Sequence, residues 1–446
     1  MNENIIKPNK KEEKDFKVQL SKKAGAIFML LVIVVLCYRC CPKCDDKKPE
    51  ANITSASGDP VADFVEANGS AAINEPDSFN WAVFCLVCQT ASCQSEVAGG
   101  HQTNDAIWET WATDELTFPD SPATQKDVPK WPICDGNKGP KRQIKHLRKS
   151  KQQEIFRHIS HNQNLALVVN GGNEEVRRNK SSFDFIIQNK LWYVEGCKEY
   201  YSKATEGEKT TFMRFPKGAV EVKAVWTPIK ETDKNKYHWN YDDSGHLYGL
   251  VGLHIMTKAI PNWTWATWEW EDNPGRCDYM GCHDSFGVVP HNVASKCTDP
   301  LQTHCGPPYP SGEMSSALKE MFKKFGLKDD WTHYRLKGSQ TDWIDATGRI
   351  INVGNSVTEN GFIGSSSCIT CHSVASFNNT GAVNPSIGFT PVVVNVKGKP
   401  DTVQFSQEGP VNDTNFWKNG VPVTGKPTYL PMDFVWAIFN AHNLPK

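Results

Sequence analysis

The stretch "HLYGLVGLHIM", from His246 to Met256, is apolar on both faces of an extended chain. A strand of this kind is typical of the centre of a sheet whose two faces are both covered. Downstream, "WTWATWEWEDNPG" (263–275) indicates a second strand that runs into a turn at Asn273-Pro274-Gly275. Its tryptophans fall in pairs that place rings on both faces, which favours packing in a core. The two stretches predict a body with a β-sheet at its centre.

A third stretch of the body shows the alternation of a half-buried strand. In "AVEVKAVW" (219–226), apolar residues at every second position are separated by Glu221 and Lys223. The short, β-branched "ALVVN" (166–170) also predicts a strand. Together these patterns make the middle of the chain β-rich.

Two segments predict helices. "AIWETWATDELTF" (106–118) has the pattern of an amphipathic helix that ends before Pro119. "MSSALKEMFKKFG" (314–326) has apolar residues at helical spacing, with Gly326 placed as a C-cap. We therefore assign residues 76–350 to an α+β body that is rich in strands.

The composition indicates a folded chain without a strong net charge. The 446 residues include 49 Lys and Arg against 50 Asp and Glu, so no overall field recruits nucleic acid or a membrane surface. The 15 Trp, 21 Phe and 11 Tyr supply enough apolar surface for a sizeable core, which excludes a disordered chain. The basic stretch at 138–151 is expected to be a solvated face, with a docking patch for an acidic redox partner as the alternative.

The N-terminus predicts a membrane anchor. Seven lysines precede the apolar run "AGAIFMLLVIVVLCY" (24–38), and no small-x-small cleavage site follows it. An uncleaved anchor is therefore favoured, with cleavage or lipidation at Cys37 as the alternative. Because the lysines lie before the span, residues 1–23 should stay in the cytoplasm and the body should be exported. We expect a single pass through the bacterial cytoplasmic membrane, a linker at 39–75 and a periplasmic body.

A haem motif lies near the C-terminus, in "SSSCITCHSVA" (365–375), where Cys368, Cys371 and His372 form a C-x-x-C-H arrangement. Two thiols on one helical turn can reach the two vinyl groups of haem, and the adjacent His then ligates the iron. A redox or zinc C-x-x-C is the rival interpretation, but the immediate His and the export signal favour haem. The motif predicts one covalent haem c, attached at Cys368 and Cys371, with His372 as an axial ligand.

The sixth iron ligand is predicted to be Met432, in "YLPMDFVWAIFNAHN" (429–443). It is the only Met after His372, and a thioether ligand raises the potential of haem iron in a way that suits electron transfer. Apolar residues follow it at helical spacing: Phe434, Val435, Ile438 and Phe439. The alternative is that Met432 is a core residue and that the iron is bis-histidine, water-bound or five-coordinate. We assign residues 351–446 to a mostly helical, cytochrome c-like haem domain.

The remaining cysteines fit an exported protein, since disulfides persist in an oxidising compartment. Four cysteines at the membrane exit (37–44) lack a nearby His or second ligand pair, so disulfides or lipidation are preferred there over zinc. Four more lie close together and predict two disulfides: Cys277, Cys282, Cys297 and Cys305. The alternative at this place is a second haem, because Cys277, Cys282 and His283 have C-x4-C-H spacing.

Several of these stretches carry a resemblance to a known family. "GLHIMTKAIPNWTWATWEWEDNPG" (252–275), "YRLKGSQTDW" (334–343), "VGNSVTENGF" (353–362) and "SSSCITCHSVA" are similar to segments of large bacterial c-type cytochrome-like proteins of poorly defined function. The likeness extends from about residue 79 to the C-terminus and implies that the body and the haem segment form one unit. It implies no substrate. Family members often have a charged or His-containing segment where this chain has Trp270-Glu271-Asp272, so no catalytic role is carried onto that place.

Three functions fit these observations. The first is electron transfer by a membrane-anchored, exported cytochrome with an unidentified redox partner protein. The second is a haem-dependent oxidoreductase with a substrate pocket in the α+β body, for which the acid–base candidates near the Trp cluster are His254, Glu269, Glu271 and Asp272. The third is a haem-based sensor, but 23 residues before the anchor leave no room for an output domain.

Overall fold

The structure is a computed structural model that describes residues 58–95, 97–119, 127–134, 173–297, 308–359, 363–384, 389–396, 399–406, 409–411, 416–417 and 426–444. Its α-helices in these ranges are α1 (Pro60–Ala67), α2 (Gly69–Asn74), α3 (Pro76–Val87), α4 (Asp114–Thr117), α5 (Lys180–Gln188), α6 (Val194–Ala204), α7 (Ser316–Phe325) and α8 (Cys368–Ser373).

The strands described are β1 (Ala112–Thr113), β2 (Asn173–Arg178), β3 (Val220–Pro228), β4 (Trp239–Tyr241), β5 (Leu247–Thr257), β6 (Thr264–Trp270), β7 (Cys282–His283), β8 (Val288–Val289), β9 (Asn292–Val293), β10 (Glu313–Met314), β11 (Tyr334–Gln340), β12 (Ser376–Phe377), β13 (Phe389–Val396), β14 (Lys399–Ser406) and β15 (Leu430–Pro431). The fold therefore combines helices with antiparallel sheet, as the α+β prediction required.

The principal sheet is antiparallel and has the strand order β1-β2-β3-β5-β6-β11, with β4 paired to β5. Strand β5 pairs with β3, β4 and β6, so the prediction of a central strand from "HLYGLVGLHIM" is confirmed. Strand β6 forms in the Trp-rich stretch and leads into a turn at Asn273, as predicted.

The two faces of this sheet carry two separate apolar cores. On the first face, the alternation predicted for β3 is confirmed, because Val220, Val222, Ala224 and Trp226 all belong to one buried cluster. Helix α3 packs on this face, where the tilted rings of Phe84 and Trp268 have their centres 5.1 Å apart. The alternating residues of β3 thus contribute to the larger core together with residues of neighbouring strands, such as Trp268 of β6.

The second face holds the haem-motif segment. Met256 and Trp265 of the sheet share a buried cluster with Ile369, Leu430 and Met432. All these residues lie in one compact unit of the chain. The motif segment therefore packs directly on the body.

The prediction for residues 106–118 was partly wrong, because a single helix does not form there. The chain makes a 3-10 turn at Ile107–Thr110, then β1, then the short helix α4. The pairing of β1 with β2 interrupts the helix, and the Thr113 hydroxyl caps the restart by accepting from the Leu116 amide at 3.2 Å. The second helix was predicted correctly: α7 follows its cap Ser315 and ends at Gly326, which has φ +65°.

The described part of residues 351–446 is less helical than the sequence indicated. Within 351–446, the described residues contain one α-helix, α8, and the paired strands β13 and β14. The β-branched run Val392–Val394 lies in β13, which explains the extended conformation. The apolar segment after Met432 forms a 3-10 helix at Trp436–Asn440.

The predicted linker at 39–75 contains structure in its described part. Helix α1 begins at Pro60 and α2 at Gly69, and they bury Val61, Val65 and Ala72. None of the described helices combines the length and apolarity of a membrane span. The anchor at 24–38, the basic stretch at 138–151 and the strand at 166–170 lie outside the described residues.

Candidate functional site

The haem motif lies on the single turn of helix α8. Ser367 caps this helix, and its hydroxyl receives a hydrogen bond from Nε2 of Gln340 at 3.0 Å. The Oε1 atom of Gln340 accepts from the Ile369 amide at 3.1 Å. Because Gln340 ends strand β11, these bonds fix the motif turn to the edge of the sheet, next to Trp265.

His372 presents one ring nitrogen to the protein and keeps the other available. Its Nδ1 donates to the carbonyl oxygen of Phe434 at 2.8 Å. A carbonyl can only accept, so Nδ1 carries the proton and Nε2 keeps its lone pair. Burial lowers the pKa of His372 to about 4, against a smaller opposing effect of the Phe434 carbonyl, so the ring is neutral. A neutral imidazole held through Nδ1 is the usual form of a metal-ligating histidine.

The two motif cysteines sit beside this imidazole with their thiols protonated. Burial raises the pKa of the Cys368 thiol well above its ordinary value and that of Cys371 to about 12. Both residues keep part of their surface exposed, whereas Ile369 and Thr370 of the same turn are buried. The turn therefore buries Ile369 and Thr370 and leaves the two cysteines partly exposed, with Cys368 packed against the edge of the core cluster.

The C-terminal segment holds the other side of the motif. Nε1 of Trp436 donates to the carbonyl oxygen of Cys371 at 2.9 Å. The Trp265 ring lies 4.6 Å from that of His372. The Phe434 carbonyl is presented by a loop in which Asp433 and Phe434 have positive φ values of 50° and 73°. Such conformations are costly for residues with a Cβ, so tertiary contacts must hold this loop.

Three ionisable side chains of the same sheet face and its neighbouring loop lie near the motif: Lys223, His254 and Glu359. The charge of Glu359 acts on both motif thiols, and that of Lys223 acts on Cys371 and His372. Burial raises the pKa of Glu359 to about 7, and Lys223, which forms an ion pair with Glu174 at 3.1 Å, opposes that rise. Burial lowers the pKa of His254 to about 3, with Lys223 and His372 adding to the effect.

Met432 is fully buried, and its amide donates to the Ala375 carbonyl at 2.8 Å. Its side chain lines a cavity of about 170 Å³ together with Cys197, Phe377 and Ile438, and this lining includes neither motif cysteine nor His372. Ligation of iron by Met432 therefore stays a prediction.

The second cysteine pair has a different role from haem attachment. Cys277 and Cys282 form a disulfide with each other, which uses both sulfurs that a C-x4-C-H haem site would need. Cys297 is also disulfide-bonded, and a further disulfide joins Cys93 to Cys134. His283 is exposed and contacts Asn292.

The four acid–base candidates of the Trp region do not converge. His254 reaches the neighbourhood of the motif, whereas Glu271 binds His333 and Arg335 at the other end of β6. Glu269 is buried and bonded to Ser356. Asp272 lies in the turn that follows β6.

Sequence reasoning missed Gln340, Lys223 and Glu359 as neighbours of the motif. The alternating sequence of β3 does predict that Lys223 lies on the opposite face of the strand from the apolar residues. Gln340 and Glu359 lie in quoted stretches, "YRLKGSQTDW" and "VGNSVTENGF", but only the register of the sheet brings them to the motif.

Within the described ranges, no three His, Cys, Asp or Glu side chains group as ligands of a bare metal ion. A c-type haem needs only one or two protein ligands to its iron, so this finding does not bear on it. Comparison of the chain with protein-family models, curated proteins and solved structures finds no match.

Proposed function

We propose that this protein is a c-type cytochrome that carries one covalent haem and transfers electrons. Cys368 and Cys371 would hold the haem through thioether bonds, and Nε2 of His372 would ligate its iron. The observation that carries the proposal is the hydrogen bond from Nδ1 of His372 to the Phe434 carbonyl. This bond leaves Nε2 of the neutral ring with a lone pair that can bind iron. The group, when bound, supplies a one-electron couple at the iron.

The residues around the motif fit a haem in two further respects. Both cysteine residues are partly exposed and their thiols are protonated, which suits covalent attachment. The flanking Trp265 and Phe434 rings, 6.1 Å apart, supply apolar surface of the kind that packs against a macrocycle. A C-x-x-C redox pair would not require His372 to be oriented in this way.

The cellular setting is part of the same proposal. A membrane anchor at residues 24–38, a periplasmic body and a cytochrome c-like domain at 351–446 would place the haem where a periplasmic redox partner can exchange electrons with it. The resemblance to large bacterial c-type cytochrome-like proteins supports this setting.

The test is to produce the full chain in a host that has c-type haem maturation machinery. We expect a mass increase of one haem that survives denaturation, a c-type pyridine haemochrome and a reversible one-electron titration. The variants Cys368→Ser and Cys371→Ser should lose the covalent attachment, whereas Cys197→Ser, at a buried cysteine outside the motif, should retain it. An unmodified mass for the unmutated chain would refute the proposal, and a gain of two haems would refute the single site.

A haem-dependent oxidoreductase is a second candidate, favoured by the acid–base pair of His254 and Glu359. Their Nε2 and Oε2 atoms lie 3.5 Å apart near the motif. Such groups could move protons during a reaction at an open iron. Ready binding of carbon monoxide or cyanide by the holoprotein would favour this candidate over electron transfer.

A further inference from the structure

His254 lies on the same face of the principal sheet as the haem motif. In the register of the sheet, Lys223 of β3, His254 of β5 and Thr267 of β6 form one cross-strand row. The adjacent row on this face contains Trp265, whose ring lies 4.6 Å from that of His372. His254 and His372 are also close enough for their charges to interact. The sheet therefore brings a second imidazole to the motif.

The two nitrogens of His254 have different surroundings. Nδ1 and the Thr267 hydroxyl are 2.6 Å apart, so the Thr267 oxygen can accept a hydrogen bond from Nδ1–H and fix the ring. Nε2 is buried and makes no hydrogen bond. Glu359 is 3.5 Å from it, within ion-pair range, but the geometry is not that of a hydrogen bond.

An unpaired buried nitrogen needs an explanation, because it loses its bonds to water without gaining others. His372 has the same arrangement, with Nδ1 held by an oxygen and Nε2 available. In metal-binding histidines, an outer hydrogen bond at one nitrogen orients the other toward the metal. Coordination to the iron would satisfy Nε2 of His254 in the same way.

Met432 is not oriented toward the motif in this way. Its side chain lines a cavity formed with residues of α6 and the C-terminal segment, including Cys197 and Ile438. His254, in contrast, has a buried Nε2 atom without a hydrogen bond and lies one row from Trp265, the residue that contacts His372.

We propose that Nε2 of His254, rather than the sulfur of Met432, is the second axial ligand of the haem iron. The inference rests on the proposed function, since it requires a covalent haem at the motif. It makes the protein a bis-histidine cytochrome whose iron has no open position, which favours electron transfer over substrate chemistry. Thr267 then acts as a positioning residue.

The first measurement uses the unmutated full-length holoprotein. Covalent haem is established by mass and by the pyridine haemochrome, and ligation is then determined by electron paramagnetic resonance and near-infrared magnetic circular dichroism of the ferric form. We expect a low-spin bis-histidine signature. A histidine–methionine signature, or a high-spin one, would overturn the ligand assignment while leaving the cytochrome intact. The absence of covalent haem would overturn both proposals.

Two variants complete the test, with covalent haem content measured for each. His254→Ala should convert the ferric iron from low spin to high spin, and added imidazole should restore the low-spin spectrum. Met432→Leu is the discriminating variant, and it should retain the bis-histidine spectrum. The proposal fails if His254→Ala keeps the parent spectrum or if Met432→Leu changes the axial ligation. If His254→Ala does not fold, the spectra of the unmutated protein still decide the question.

Discussion

The ammonium of Lys258 lies 2.6 Å from a carboxylate oxygen of Asp433, and both side chains are almost completely buried. This pair joins the end of the central sheet to the loop that presents the Phe434 carbonyl to His372. Asp433 also accepts from the Phe215 amide at 2.7 Å, while the nearest other cation, Arg214, is largely exposed at 3.7 Å. The buried pair thus holds a backbone with two consecutive positive φ values in place.

Replacing Lys258 by Met should destabilise the protein strongly, because it leaves the Asp433 carboxylate buried without its main partner. The expected loss in free energy of unfolding is about 3 kcal/mol, measured by urea denaturation. The double variant Lys258→Met/Asp433→Asn should lose less than the sum of the single changes. Lys203→Met, at an exposed pair with Glu199, is the control and should leave the midpoint unchanged. Equal losses in the two lysine variants would show that the buried pair is not structural.

Gln340 should be required for the stability of the motif turn. Gln340→Met keeps the size of the side chain but removes its bonds to Ser367, Ile369 and the Ile351 carbonyl. Leaving these buried groups unpaired should cost about 1–3 kcal/mol in urea unfolding. Gln188→Met, at an exposed position at the end of α5, provides the matched comparison. If Gln340→Met leaves the free energy of unfolding unchanged, the motif turn does not depend on its bonds to the sheet.

The stability of the fold should fall at alkaline pH because of His238. This ring is buried between Glu109, at 2.7 Å, and Asp330, at 3.4 Å. Burial alone would lower the pKa of His238, but the two carboxylates outweigh it and raise the value to about 9, above the ordinary 6.5. Since the folded state holds the proton more tightly, the stabilisation is complete below pH 6.5 and is lost as the pH rises through 9.

The measurement for His238 is the urea midpoint at several pH values between 6 and 10. We expect a decrease on the order of 1–3 kcal/mol in the free energy of unfolding across this window. His238→Gln should be less stable at pH 6 and should show a flatter profile. His246→Gln, at a mostly exposed ring, should keep the parent slope. A parent profile that is flat from pH 6.5 to 9 would contradict the assignment.

The elements that the sequence predicted well are those defined by local alternation. The apolar positions of β3, the two apolar faces of β5 and the capped helix α7 each follow from neighbours within a few residues. The helix predicted at 106–118 failed because β1 pairs with β2, more than 60 residues away along the chain. Long-range pairing of this kind leaves no local signal.

The same distinction applies to the candidate site. The spacing of Cys368, Cys371 and His372 is local, so the motif was visible in the sequence. Its partners come from elsewhere: Gln340 ends β11, and His254 reaches the motif only because β5 pairs between β3 and β6. Sequence reasoning singled out His254 for its position beside the Trp cluster, without a reason to place it near His372.

Gly326 provides a test of local backbone conformation that is independent of packing. It ends α7 with φ +65°, and a Cβ built there would meet no atom within 4 Å. Any cost of Gly326→Ala is therefore conformational, since a residue with a Cβ is disfavoured in the left-handed region by about 1 kcal/mol. We expect a loss of that size in thermal or urea unfolding. Gly207→Ala, where φ is not positive and the nearest atom is 3.8 Å away, should be neutral or slightly stabilising, because it only restricts the unfolded chain. If both substitutions have the same effect, the left-handed cap does not contribute to the stability of α7.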